Sequence, residues 1–293
     1  MSRSLALLQE LSAGLADLVT GVGNSIVGVR LGRSRSSGFV WKPGLIVTAD
    51  EPLSDEGELS VTLPDGNVVA TQLVGRDPTT DIALLRVENH DLQPFSMSPA
   101  TVLVGALVLA VGVDDGAPTA SLGVVSRAAG PWRSARGGEI DVRIELNLRL
   151  RPSAEGGLVL NMEAQAIGMS VVGPRRRVLV IPSSTIDHVA GKLEGHGRIP
   201  RGYLGLGLQP VVVDNDKEWA AMVMSVDPSG PGALAGFHQG DILMFWNGEQ
   251  VQGLRPLLRA LGPDSVGQTV RVGIRRAGKT HEVPLTIGER PST

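Results

Sequence analysis

The feature that most constrains the fold is a rhythm of short β-branched runs that begins at Ser25. Ile26–Leu31, Ser37–Trp41, Leu45–Thr48, Leu59–Leu63, Val68–Val74, Ile82–Val87, Leu107–Gly112 and Ser121–Ser126 alternate or cluster apolar residues at strand length. Lys42-Pro43-Gly44 and Pro64-Asp65-Gly66-Asn67 are turn signals between them. Many short strands at regular spacing imply a mainly β chain built as an antiparallel barrel or sandwich. The 38 glycines and 19 prolines suit that turn density, and 293 residues are long enough for two domains.

Before Ser25 the period is different. Leu8, Leu11, Leu15, Leu18 and Val22 recur at spacings of three and four, which predicts an amphipathic helix over residues 4–20. Two readings of its stripe stay open: packing on its own domain, or an oligomer contact. Gln9, Glu10 and Asp17 interrupt the segment, so it does not read as a secretory signal, and no run reaches the roughly 18 to 20 apolar residues of a membrane span. A cytoplasmic location and no membrane span are the expectations. Net charge is −3 without a single-sign block, which argues against nucleic acid as a partner. The run Arg175-Arg176-Arg177 reads as a hairpin tip. Absence of cysteine removes disulfides, thiol nucleophiles and thiolate metal sites.

Arg151-Pro152-Ser153-Ala154-Glu155-Gly156-Gly157-Leu158, continued by Val159-Leu160-Asn161, resembles the nucleophile loop of the HtrA/Deg family of trypsin-fold proteases. Thr80-Asp81-Ile82-Ala83-Leu84-Leu85 is similar to that family's segment around the orienting aspartate, and Ile46-Val47-Thr48-Ala49-Asp50-Glu51 to its general-base segment. The resemblance spans about residues 20–190 and implies two six-stranded barrels with the site in the cleft between them. It places Glu51, Asp81 and Glu155 at the three triad positions. None of the five histidines, His90, His188, His196, His238 and His281, lies in these motifs.

A serine protease needs a nucleophile, a base within reach of it and oxyanion donors. A carboxylate at position 51 is a weak base toward a hydroxyl, and Glu155 is not a nucleophile for an amide. The expectation is therefore a non-enzyme, a pseudoprotease. Ser153 falls where the family has a glycine of the oxyanion hole, and its Cβ disfavours positive φ. The Glu155 carboxylate is expected to fill the remaining donor nest. Three neighbouring carboxylates call for a cation, with Arg149 or Arg151 as candidates and a divalent metal as the alternative. Asn147 falls at the base of the specificity pocket, and Leu148, Arg149 and Leu150 replace smaller residues of the family pattern. Ser153 and Ser54 are the displaced nucleophiles open to a hydrolase alternative. No cofactor is implied.

Residues 191–200 read as a Gly-rich, charged linker. Beyond it, Arg201-Gly202-Tyr203-Leu204-Gly205-Leu206, Pro231-Gly232-Ala233-Leu234-Ala235-Gly236-Phe237, Gly240-Asp241-Ile242-Leu243 and Asn247-Gly248 occur in order and resemble a bacterial PDZ domain over 201–289. That resemblance implies peptide binding at Tyr203, Leu204, Gly205 and Leu206, with Leu257, Leu258 and Leu261 completing an apolar pocket. The expected organisation is a helix over 1–22, a degenerate protease domain over 23–190, the linker and the PDZ domain. The expected function is a non-catalytic scaffold that binds polypeptide C-termini and forms homo-oligomers, trimers by family resemblance, or joins a larger complex. The alternatives are a hydrolase or a metal-dependent regulator at the carboxylate trio.

Overall fold

The computed structural model describes residues 3–54, 56–88, 92–97, 101–134, 136–213 and 218–291. The chain divides into two compact units, Met1–Ile199 and Pro200–Thr293.

The first unit opens with helix α1 (Arg3–Val22). Seven strands follow: β1 (Ile26–Leu31), β2 (Ser34–Lys42), β3 (Leu45–Thr48), β4 (Leu59–Thr62), β5 (Val68–Ala70), β6 (Gln72–Asp77) and β7 (Ile82–Arg86). They pair antiparallel in the order β5-β4-β1-β2-β3-β7-β6. The second half contributes β8 (Leu107–Asp114), β9 (Ala117–Ala129), a small ribbon of β10 (Trp132–Arg133) and β11 (Glu139–Ile140), β12 (Arg143–Asn147), β13 (Leu158–Asn161), β14 (Ala166–Gly173) and β15 (Arg177–Pro182). Among these, β12-β15-β14-β13-β8-β9 close into a six-stranded barrel. The first half is thus a seven-stranded sheet where a six-stranded barrel was expected, and the second is the closed six-stranded barrel of the trypsin-like arrangement. Phe39, Val47, Ile82, Val111, Leu158 and Met169 bury their side chains where the two halves meet.

Only part of the α1 stripe is used inside the unit. Leu15, Leu18 and Val19 pack against the core, whereas Leu5, Leu7, Leu8 and Leu11 are exposed. The segment Ser4–Ser25 is, by length and composition, apolar enough to cross a membrane, which corrects the expectation that no such stretch exists. The three charged or amide interruptions are outweighed by the leucines around them.

The linker expectation for 191–200 is also corrected. Helix α2 (Ser183–His196) runs through most of it and ends where Gly197 takes a left-handed φ of 69° and its N–H caps Leu193 O. Ile186, Val189, Ala190 and Leu193 are buried, each large apolar side chain contributing about 1.5–3 kcal/mol. Glycine and charge on the outer face disguised an amphipathic helix. Pro174–Arg176 form the tip between β14 and β15, with Arg175 and Arg176 at positive φ, so the basic run is a hairpin tip.

The second unit contains β16 (Gly202–Tyr203), β17 (Leu206–Val213), β18 (Glu218–Val226), α3 (Pro231–Leu234), β19 (Ile242–Trp246), β20 (Glu249–Gln250), α4 (Leu254–Ala260), β21 (Thr269–Arg276), β22 (Lys279–Thr286) and β23 (Gly288–Glu289). Its main sheet has the order β17-β18-β19-β21-β22, so β17 is an edge strand. Asn247 and Gly248 have φ of 51° and 85°, the two positive values that a type I′ turn requires.

Candidate functional site

In the barrel unit the site is assembled by the paired glycines. Gly156 has φ 86°, and a Cβ there would lie 2.2 Å from Ser37 O and 2.8 Å from Ala49 N. A Cβ on Gly157 would lie 2.2 Å from Val111 O. Glycine at both positions lets the 155–157 turn press against β2, β3 and β8. Ser37, fully buried, fastens it: its N–H donates to Glu155 O at 2.7 Å and its hydroxyl to Ser153 O at 2.7 Å. The same hydroxyl accepts from Val113 N–H at 2.8 Å.

Around this turn stand the three carboxyl groups. The Asp81 carboxylate accepts the Glu51 backbone N–H at 2.7 Å. Asp81 itself sits at φ 61°, held by a turn in which Asp77 accepts from Thr79 N–H and from the Thr79 and Thr80 hydroxyls. Burial pushes the Asp81 carboxyl up; the Glu51 N–H pulls against it, and Glu155, Asp50 and Glu51 push further, to about 7. Glu155 is also raised, by burial first and by Glu51, with Val172 N–H opposing.

Two expectations about this cluster are corrected. The Glu155 carboxylate does not enter a donor nest; it accepts Val172 N–H from β14 at 2.7 Å. The nest donors are closed on their own turn, a 3-10 turn over Pro152–Ala154 in which Ala154 N–H donates to Arg151 O and Glu155 N–H to Pro152 O. Ser153 is buried inside that turn. The cation at Glu51 is Arg136, 3.7 Å away, while Arg151 pairs with Asp114 at 3.6 Å. Arg136 arrives from the β10–β11 ribbon, a contact 85 positions away in sequence that no local pattern announces. Among the described residues no three His, Cys, Asp or Glu side chains are grouped to hold a metal ion. Leu148 and Leu150 pack into the barrel core, whereas Asn147 is exposed.

Sequence reasoning also missed the pair beside the trio. Asp50, 1 % exposed, takes the Arg76 Nε, and the same guanidinium donates to Asp50 O and Leu53 O. This fixes the 50–53 segment that presents Glu51. The signal was an acidic residue inside an otherwise apolar strand end. Ser54's side chain and His90 lie outside what the structure describes.

In the PDZ unit, Gly205 has φ 68° and would meet Gly230 Cα at 2.8 Å if it carried a Cβ. A Cβ on Gly232 would meet Leu206 Cδ2 at 2.4 Å and Leu204 O at 2.8 Å. Gly232 N–H donates to Leu204 O at 2.7 Å, so the two glycine motifs lock the 203–206 loop to α3. Tyr203 donates its hydroxyl to Asp227 at 2.9 Å. The leucines separate: Leu204 and Leu257 are core, Leu206 and Leu261 pack beside it, and Leu258 is 63 % exposed. Asp241, 1 % exposed, receives Arg276 Nε at 2.7 Å and His238 N–H at 2.8 Å.

Residues 36–169 match the trypsin-like peptidase domain and residues 202–287 the PDZ domain. The chain belongs to the HtrA family. A probable periplasmic serine endoprotease, DegP-like, of Chlamydia trachomatis is 30% identical over 273 residues, covering 88% of this chain and 54% of that protein. Its namesake in Brucella suis is 31% identical over 277 residues, covering 88% and 53%. This HtrA-family chain thus spans about half the length of the curated relatives it matches. The solved serine endoprotease of Yersinia pestis superposes with a TM-score of 0.72 at 24% identity, covering 94% of this chain and 98% of that one. The HtrA-type protease AlgW with a decapeptide superposes at 0.71 and 20% identity, covering 95% and 99%; at these identities the likeness is one of fold.

These findings overturn two expectations. The relatives it matches are named serine endoproteases, which contradicts the expectation of a non-enzyme. Relatives named periplasmic, together with the apolar N-terminal helix, overturn the cytoplasmic location.

Proposed function

We propose that this HtrA-family chain binds extended polypeptides, with the PDZ unit receiving a C-terminal segment and the barrel unit serving as platform. The observation that carries the reading is the open edge of β17 directly after the Gly205 loop. A peptide strand adding there would gain main-chain hydrogen bonds, while the N–H groups of the 203–206 loop receive its terminal carboxylate. Leu206 and Leu261 offer the apolar floor, since Leu204 and Leu257 are committed to the core. Homo-oligomerisation through the exposed Leu5, Leu7, Leu8 and Leu11 of α1 is part of the proposal.

The test is fluorescence anisotropy with paired peptides, one a free acid and one amidated at its C-terminus. Tighter binding of the free acid supports the reading, and equal binding sinks it.

Peptide hydrolysis is a second reading, favoured by the relatives' names and by the Asp81 carboxyl near 7, where a group serves as both acid and base at neutral pH. With glutamates proposed at the positions of the family's base and nucleophile, hydrolysis here would proceed by water attack assisted by carboxyl groups. Casein turnover that survives a serine-directed phosphonate, and is lost in Asp81→Asn, is the expected signature. Stoichiometric phosphonate labelling would replace it with a displaced serine.

A further inference from the structure

The groove invoked above lies between the free edge of β17 and α4, and the following inference rests on that reading. At the end remote from the Gly205 loop, Pro210, Trp219, Gln252, Gly253, Leu254 and Pro256 line a cavity of about 500 Å³. None of these side chains is charged. Trp219 lies on β18 opposite Val212 and remains 56 % exposed, a large ring left outside the domain core.

Pro210 decides where backbone recognition stops. It has no N–H, so a strand laid along the β17 edge finds no donor there. Antiparallel strands advance residue for residue. A peptide whose carboxylate lies at the 203–206 loop therefore brings the residue about four places before its terminus alongside Pro210. At that place the ladder gives out and an apolar cavity opens. An indole and two proline rings form flat walls, which favour a flat side chain; a charged one would be desolvated without a partner.

We propose that the Pro210–Trp219–Pro256 cavity is a second recognition subsite that takes an aromatic side chain about four residues upstream of the bound polypeptide's C-terminus. Partners are then selected by two separated features, a free carboxylate and an upstream ring.

The test uses the full chain and two fluorescein-labelled ten-residue peptides ending in the same free valine carboxylate. They differ only in phenylalanine or alanine four residues before that valine. Wild type should bind the phenylalanine peptide about tenfold more tightly. In Trp219→Ala the two should bind within about twofold, while Trp219→Phe restores most of the preference. Trp219 is exposed, so both variants should keep the wild-type melting profile. The subsite is overturned if wild type does not distinguish the peptides, or if Trp219→Ala still does. Carboxylate-dependent binding without the ring preference removes the subsite alone. Failure of wild type to bind either peptide removes the PDZ reading and the subsite with it.

Discussion

Asp81 in the barrel unit and Asp241 in the PDZ unit are each held by one backbone N–H, from Glu51 at 2.7 Å and from His238 at 2.8 Å. Their charge states diverge because of what surrounds that bond. Burial would raise Asp241, but the Arg276 fork reaches both its oxygens and holds its carboxyl below the usual carboxylate range. Asp81 faces Glu155, Asp50 and Glu51 instead and rises to about 7. Arg76, in the same barrel, is spent on Asp50. One carboxylate braces its fold; the other is kept where it exchanges a proton near neutrality. A counter-charge, more than burial, separates the two uses.

The largest effect should come from breaking the brace. Arg276→Met leaves Asp241 buried without its partner, and about 3 kcal/mol should be lost from the PDZ unfolding transition in urea, the low end for a broken buried pair because Arg276 is 37% exposed. Since Asp241 is depressed when folded, its contribution is present above its unfolded pKa and lost as pH falls through the folded one. The wild-type acid destabilisation of this transition should flatten in the variant.

Asp81→Asn should act in the opposite direction. The folded state holds a proton that the unfolded chain releases, so a penalty grows as pH rises from about 4 to about 7 and stays above that. Removing the charge should stabilise the barrel unit by about 1–3 kcal/mol at pH 8, less at pH 5 and little below pH 4. Asparagine tolerates the 61° φ and still accepts the Glu51 N–H. Thermal unfolding at the three pH values checks this, and equal gains at all three would contradict it.

The legible parts of this contrast were those fixed by local geometry. Gly156-Gly157 and the Gly205 and Gly232 motifs stand where a Cβ would strike backbone or a neighbouring side chain, and Asn247-Gly248 where two positive φ values are required. Such needs are written in single residues. The partners were not legible. Arg136 reaches Glu51 from the β10–β11 ribbon, Arg276 meets Asp241 only when β19 pairs with β21, and Val172 N–H meets Glu155 only after the barrel closes. The pocket leucines failed for a related reason: Leu257 and Leu258 are adjacent in sequence, yet on α4 the first is buried and the second exposed. In α2, burial of Leu193 was hidden by the glycine and charge around it.

Smaller effects sharpen the account of Asp81. Glu155→Gln keeps an acceptor for Val172 N–H and removes the neighbouring charge that raises Asp81 most, so the Asp81 midpoint, followed by carboxyl carbon NMR, should fall slightly. Arg136→Ala should move it the other way, because Glu51 then loses its 3.7 Å counter-charge and its field at Asp81 is less screened. The stability cost should stay within about 0.5 kcal/mol, since the two side chains are 53% and 60% exposed and such pairs are worth little. Arg136 also donates to Pro78 O at 3.3 Å, in the turn that carries Asp81. A loss above about 1 kcal/mol with no movement of the midpoint would therefore assign Arg136 to bracing that turn and leave the Asp81 field to burial and its acidic neighbours alone.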